Sequence, residues 1–290
     1  MSWGSQAAQG VRLAIIAAGL VVAIVLAAKL AVLLLEPRLT FFPRRDLPVA
    51  PDRLGLPFED FGARTADGVR IHGWFIPGAG PAMPPGGRRP TLLLFHGNAE
   101  NIADGLPIAP PIHRAGWNLL LLDYRGYGRS EGAPSERGLY ADGEAALAAL
   151  RERPDVDPER IVVWGRSIGA AVAVRLAARS PVRGVILESP FTSVEELLRE
   201  GGYWLLYGLS RLGTYRFDAA ADMPAVRAPV LVIHGTRDEV VPFALGRRLH
   251  DLAPGRREFL AIEGGGHNDL LALHGAALWD GARRFLASLE

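Results

Sequence analysis

Ser167 lies in Gly165-Arg166-Ser167-Ile168-Gly169, a Gly-x-Ser-x-Gly pattern. A serine hydroxyl becomes a useful nucleophile when a base takes its proton, an acid orients that base, and donors receive the oxyanion formed on the substrate. The five residues alone are a weak signal, because glycine and serine are common in plain turns. Their surroundings are stronger: Ile161-Val162-Val163-Trp164 suits a short strand buried on both faces, and Ala170 to Ala178 suits a helix. A serine on such a strand-to-helix turn is held up within reach of a substrate, and flanking glycines keep neighbouring elements from clashing.

Open α/β sheets gather functional groups at the C-terminal ends of their parallel strands, so position screens the remaining candidates before chemistry does. Asp238 follows the apolar run Val230 to His234, in the loop Gly235-Thr236-Arg237-Asp238. His267 follows the last strand candidate, in Gly264-Gly265-Gly266-His267-Asn268-Asp269. In the chain order Ser167, Asp238, His267, the imidazole would take the serine proton and the carboxylate would fix the imidazole tautomer. Each residue alone is more often structural; three at the right strand ends, in order, are a far less probable accident. Glu188, after Val185-Ile186-Leu187, is the rival acid, while Glu239 and Asp269 read as solvated. His72, His96, His113, His234, His250 and His274 read as structural. Oxyanion donors are expected from the main-chain N–H groups of Ile168 and of Asn98, with a structural role for the Asn98 side-chain amide as the alternative.

These residues need a frame. Strands are expected at Thr91 to Phe95, Asn118 to Leu122, Arg160 to Trp164, Gly184 to Leu187, Val230 to His234 and Glu258 to Ile262. Helices are expected at Ser135 to Arg151, Ile168 to Arg179, Ala244 to Leu252 and Gly275 to Leu289; Asn101 to Ala115 is a poor candidate because Pro107, Pro110 and Pro111 interrupt it. The alternation implies an α/β fold with a mainly parallel sheet covered on both faces. Phe58 to Arg64 and Val69 to Phe75 flank Asp67-Gly68, a hairpin signal for two antiparallel edge strands, and the Gly- and Pro-rich stretch Gly78 to Pro90 reads as a loop. Residues 192–221 are too long for an ordinary connection, which predicts a helical cap over the site. Its Tyr203-Trp204-Leu205-Leu206-Tyr207 could line an acyl pocket, touch the bilayer or pack on the domain.

At the N-terminus, Leu13 to Leu35 is a 23-residue run whose only charge is Lys29. As a helix it would span roughly 34 Å, enough to cross a bilayer. A cleaved signal peptide and a buried soluble helix are the rivals, disfavoured by the run's length, the lack of a following Ala-x-Ala, and its all-round apolarity. The division is then residues 1–36 as a transmembrane anchor, 37–57 as a Pro- and Arg-rich connector, and 58–290 as the catalytic domain. Phe41-Phe42 in the connector are expected either at the membrane interface or packed on the domain. Arg12 stands before the apolar run whereas Lys29, Arg38, Arg44 and Arg45 lie at its end or beyond, which favours a cytoplasmic domain by the positive-inside rule. With 32 basic and 31 acidic residues there is no electrostatic footprint for nucleic acid, and the absence of cysteine excludes disulfides and a thiol nucleophile.

Five motifs in order carry a family resemblance. They are His96-Gly97-Asn98-Ala99-Glu100-Asn101, Asp123-Tyr124-Arg125-Gly126-Tyr127-Gly128-Arg129-Ser130, Gly165-Arg166-Ser167-Ile168-Gly169, His234-Gly235-Thr236-Arg237-Asp238 and Gly266-His267-Asn268-Asp269. From about Phe58 to the C-terminus the chain resembles the membrane-anchored abhydrolase branch of the α/β-hydrolase superfamily. Some relatives in that branch are protein depalmitoylases or lysophospholipid lipases. Two features depart from the depalmitoylase pattern: there is no cysteine cluster to acylate, and this chain carries its own apolar span. The resemblance implies a serine hydrolase acting on ester or thioester bonds of a small-molecule or lipid-like acyl substrate, with no metal or cofactor. A peptidase or amidase, and a catalytically silent binding module, are the alternatives, because one fold serves many functions.

Overall fold

Runs of leucine, isoleucine and valine without polar alternation can be strands only where both faces are covered. Five such runs and a half-exposed edge strand lie side by side in the computed structural model, which describes residues 3–80 and 87–289. They are β3 (Arg89–Phe95), β4 (Asn118–Asp123), β5 (Val156–Arg166), β6 (Gly184–Glu188), β7 (Val230–Gly235) and β8 (Arg257–Ile262). The hairpin of β1 (Glu59–Arg64) and β2 (Arg70–Ile76) completes an eight-stranded sheet in the order β1-β2-β4-β3-β5-β6-β7-β8. Only β1/β2 and β2/β4 pair antiparallel. All other neighbours are parallel, so the strands from β3 to β8 end on one edge.

Successive strand residues point to opposite faces, and the core divides accordingly. Leu93, Phe95, Val163 and Val232 join a cluster with α3 (Glu136–Glu152), α4 (Ile168–Arg179) and α8 (Phe243–Leu252). Leu92, Leu94, Trp164 and Leu231 join another with α2 (Ala109–Arg114) and α9 (Leu270–Ala287). Two helical layers on one mainly parallel sheet are the expected α/β architecture.

Several boundaries differ from the sequence expectations. The run Asn101 to Ala115 does hold a short helix, α2, because Pro110 and Pro111 fall in its first turn, where a missing N–H costs nothing. Helix α9 begins at Leu270, not Gly275, and absorbs the change at His274, whose φ of −122° and ψ of 16° kink it. Strand β5 starts at Val156 instead of Arg160. Within the expected loop Gly78 to Pro90, Arg89 and Pro90 already belong to β3, and residues 81–86 lie outside the described residues.

Helix α1 (Trp3–Thr40) continues the apolar run to 38 residues, with Pro37 in its last turns. Among the described residues nothing buries the most apolar stretch of this helix, which is long and apolar enough to cross a membrane. The segment after it is held on the domain. Phe41 is buried against Tyr215 and Phe217, whereas Phe42 is exposed, so the two rings take different fates. The cap comprises α5 (Val194–Glu200), α6 (Trp204–Ser210) and the start of α7 (Ala219–Asp222).

Candidate active site

Ser167 stands between the last residue of β5 and the first of α4, with φ 52° and ψ −116°. Positive φ is costly for a residue with a Cβ, on the order of 1–3 kcal/mol, and persists only where the surroundings enforce it. Here they do. The Ser167 N–H donates to the carbonyl of Glu188 and the Ser167 carbonyl accepts from Ala170 N–H, both at 2.9 Å. A Cβ at Gly165 would collide with the carbonyl oxygen of Gly169, and one at Gly169 with that of Phe95. The glycines of the motif are therefore steric requirements of the turn.

Asp238 and His267 come together. The imidazole Nδ1 lies 2.9 Å from Asp238 Oδ2 and 3.1 Å from Oδ1, with the carboxylate fully buried and His267 nearly so. Asp238 Oδ1 also accepts from the N–H groups of Val240 and Val241, and His234 Nε2 lies 3.2 Å from Oδ2. Burial acts to raise the Asp238 pKa, but the hydrogen bonds from His234 and His267, the His267 charge and the Val241 N–H outweigh it. The carboxyl is held well below the ordinary range. Such a carboxylate keeps His267 Nδ1 protonated, leaving Nε2 as the acceptor.

Ser167 and His267 are joined through the residue between them and the strand. Arg166 donates from Nη2 to the carbonyl of His267 at 2.9 Å and to Asn268 Oδ1 at 3.2 Å. Among the described residues no hydrogen bond links Ser167 Oγ to His267; the serine and histidine loops meet at Arg166 instead. The same guanidinium pairs with Glu100 and, through Nε at 3.3 Å, with Glu188. Glu188, the rival acid, is thus taken by Arg166 and by Trp164 Nε1, which donates to it at 3.2 Å. Glu239 and Asp269 do more than meet solvent: Glu239 accepts the His267 N–H at 3.4 Å and Asp269 the Gly266 N–H at 2.8 Å.

The two expected oxyanion donors lie on different elements, Asn98 in the loop after β3 and Ile168 after β5. Ile168 opens α4, where the first N–H groups have no intrahelical partner. The Asn98 N–H donates to no acceptor among the described residues. The Asn98 side chain is engaged structurally: Nδ2 donates to the carbonyl of Thr40 at 2.6 Å, and Oδ1 accepts from Phe42 N–H at 3.4 Å and Tyr127 Oη at 2.9 Å. Burial raises the Tyr127 pKa, so its hydroxyl stays a donor. Gly97 N–H donates to Glu100 at 2.6 Å, which ties this loop to Arg166. His96 is buried against Tyr124 and Tyr127, with Nδ1 on the Gly97 carbonyl, and burial lowers its pKa. A cavity of about 280 Å³, lined by Leu94, Trp164, Arg166, Leu271 and Leu278, borders this arrangement; Ser167 is not in its wall.

Sequence reasoning missed Arg166, Glu100 and Tyr127, and the contact of residues 40–42 with Asn98. Arg166 was visible as the only charge in the Gly-x-Ser-x-Gly motif, but its partners lie 66, 22 and 101 residues away in the chain.

A family model described as alpha/beta hydrolase fold matches residues 90–223. The chain is 40% identical over 252 residues to an uncharacterized protein of Mycobacterium tuberculosis, covering 87% of each. It is 36% identical over 262 residues to an alpha/beta hydrolase domain-containing protein of Arabidopsis thaliana, covering 83% of this chain and 82% of that one. Among solved structures, an esterase of Pyrococcus furiosus superposes with a TM-score of 0.71 at 19% identity, over 86% of this chain and 98% of that one. Acetyl xylan esterase 1 from Thermoanaerobacterium gives 0.61 at 22% identity, over 80% and 83%.

Two outcomes are expected. Arg166→Met leaves Glu100 and Glu188 without their cation, and urea unfolding should register a loss of about 3–5 kcal/mol. A depressed carboxyl pKa stabilises the fold above the unfolded carboxyl pKa, and that stabilisation fades as pH falls toward the folded value. Asp238→Asn should therefore cost stability at neutral pH, and the gap to the parent should narrow below about pH 4, as followed by denaturation at a series of pH values.

Proposed function

Because the chain belongs to the α/β-hydrolase family, we propose that it is a membrane-anchored serine hydrolase that cleaves carboxylic ester or thioester bonds through an acyl-enzyme on Ser167. The observation that carries this reading is Ser167 itself, a half-buried serine forced to positive φ between two glycines that admit no side chain. A turn spends strain in this way where a side chain must be presented, and functional sites are where such strain collects.

In this mechanism Ser167 Oγ attacks the substrate carbonyl carbon while His267 Nε2 takes its proton, and Asp238 holds the imidazole by Nδ1–H and stabilises its charge. The carbonyl oxygen becomes an oxyanion facing the N–H groups of Ile168 and Asn98. Collapse expels the alcohol or thiol, which takes the proton from His267 and leaves acyl-Ser167. Water then attacks the acyl carbon, giving up a proton to His267, and the carboxylic acid departs as Ser167 recovers its proton. The hydroxyl–imidazole hydrogen bond forms with substrate in place, since catalytic hydrogen bonds are often long without it.

The anchor reading rests on the uncovered apolar length of α1 and on the bond from Asn98 Nδ2 to Thr40, the last residue of that helix. A site joined to the end of a membrane helix favours amphiphilic acyl substrates. The excess of Lys29, Arg38, Arg44 and Arg45 at or beyond the end of the run over Arg12 before it favours a cytoplasmic domain.

Turnover of p-nitrophenyl esters and labelling by a fluorophosphonate test the proposal together. Ser167→Ala should abolish labelling and lower turnover by about 10³-fold or more. Undiminished turnover in that variant would overturn the serine mechanism. A folded parent that neither labels nor turns over would be a silent binding module, and preference for peptidyl over acyl substrates would make it a peptidase or amidase.

A further inference from the structure

Helix α6 is Trp204-Leu205-Leu206-Tyr207-Gly208-Leu209-Ser210, and none of its residues is buried. Trp204 and Leu205 are 65% and 77% exposed, and Leu206 and Leu209 are exposed as well. A helix apolar on every side is covered in its working state by something other than water. Seven residues of this composition are too few to cross a bilayer and have no place in water as they stand.

The position of α6 identifies the cover. The Glu36 carboxylate accepts from the N–H groups of Thr214 and Tyr215 and from Thr214 Oγ1, at 2.8 to 2.9 Å. Tyr215 in turn packs its ring on Phe41, at 5.3 Å between centroids. The cap is thereby fastened to the last turn of α1, and Ser210 lies only four residues before Thr214, a reach of at most about 14 Å. The apolar run of α1 ends at Leu35, one residue before Glu36. An ionised carboxylate does not sit in hydrocarbon, so Glu36 marks the headgroup boundary. The C-terminal end of α6 therefore lies within that reach of the Glu36 contact, with exposed Leu39 and Phe42 at the same end of α1.

We infer that α6 docks into the headgroup and upper acyl region of the same leaflet from which α1 emerges, making the cap a second membrane contact beside the candidate site. The inference rests on the reading of α1 as a membrane span. The side chains suit the location: Trp204 and Tyr207, paired edge to face at 6.2 Å, belong to the residue types that settle at membrane interfaces. Exposed Arg38 and Arg211 flank the apolar residues and can meet lipid phosphates. A surface element with these features lies in the interface plane without spanning it. The consequence is functional. With α6 in the leaflet, the cap would meet an amphiphilic substrate while its acyl chain is still in lipid.

The absence of cysteine gives a clean test. Leu205→Cys carries a single environment-sensitive fluorophore, and Glu159→Cys, exposed near the start of β5 and so at the opposite end of that strand from Ser167, carries the control. The full chain is placed in phosphatidylcholine–phosphatidylglycerol vesicles containing lipids with quenchers at shallow or deep positions, and flotation reports whether it is held. The expected result is co-flotation, a blue-shifted label at 205, and quenching by shallow lipids several-fold stronger at 205 than at 159. A label at Leu209→Cys should behave like that at 205. Co-flotation with a label at 205 as aqueous as that at 159 overturns the inference and leaves the anchor standing. Failure to co-float removes the anchor reading and this inference with it. A spectral shift that follows protein concentration and not lipid assigns α6 to a second copy of the chain, and also overturns it.

Discussion

The guanidinium of Arg166 is the interaction on which the arrangement at the strand ends depends. Two carboxylates, Glu100 and Glu188, approach the end of β5 from the loop after β3 and from β6, and both are largely withdrawn from solvent. Without a cation between them their desolvation and mutual repulsion would go uncompensated. Arginine suits the position because its planar fork of N–H donors can serve several acceptors at once, which a lysine ammonium does with less geometric control. Its remaining reach goes to the carbonyl of His267 and to Asn268, beyond β8 and three strands away in the sheet. The loops carrying Asn98, Ser167 and His267 are thus fixed relative to one another by one side chain that need not take part in any chemistry.

The strain at Ser167 is tolerable for the same reason. A residue at φ 52° relaxes unless its neighbours over-determine it. The Ser167 N–H is held by Glu188, whose side chain is held by Arg166 and Trp164; the helix following is packed down on β5 through Gly165 and Gly169. Main-chain and side-chain constraints converge on the one turn that holds Ser167.

How much of this the sequence disclosed follows from the range of the forces involved. The inner parallel strands were legible because burial on both faces demands uninterrupted apolar runs, and Asp238 and His267 stood out as candidates because each lies in the loop that follows a strand. Glu188 follows one too, and adjacency alone could not separate it from Asp238; only the pairing with Arg166 does. Phe41 and Phe42 are chemically identical neighbours with opposite burial, a difference set by whether Tyr215 and Phe217 lie beneath. The prolines that argued against a helix between Asn101 and Ala115 act differently inside a first turn than inside a helix, and the sequence does not say which turn comes first. Local periodicity was readable; partnerships between residues far apart in the chain were not.

Asn98 shows how closely the N-terminal segment and the strand-end loops are built together. An N–H that is to receive an oxyanion must be held in place and left without an internal acceptor, and a loop residue achieves this only if its side chain is fixed elsewhere. The Asn98 amide is fixed by Thr40, Phe42 and Tyr127, two of which belong to the segment leaving α1. The same segment gives Phe41 to the core, accepts the Gly128 N–H at the Arg44 carbonyl, and accepts from Asn101 Nδ2 at the Asp46 carbonyl. Residues 40–46 are therefore structural parts of the loop that follows β3 and not a passive tether. A chain cut immediately before β1 would lose those supports, so the end of α1, the connector after it and the strand-end loops have to be understood as one mechanical unit.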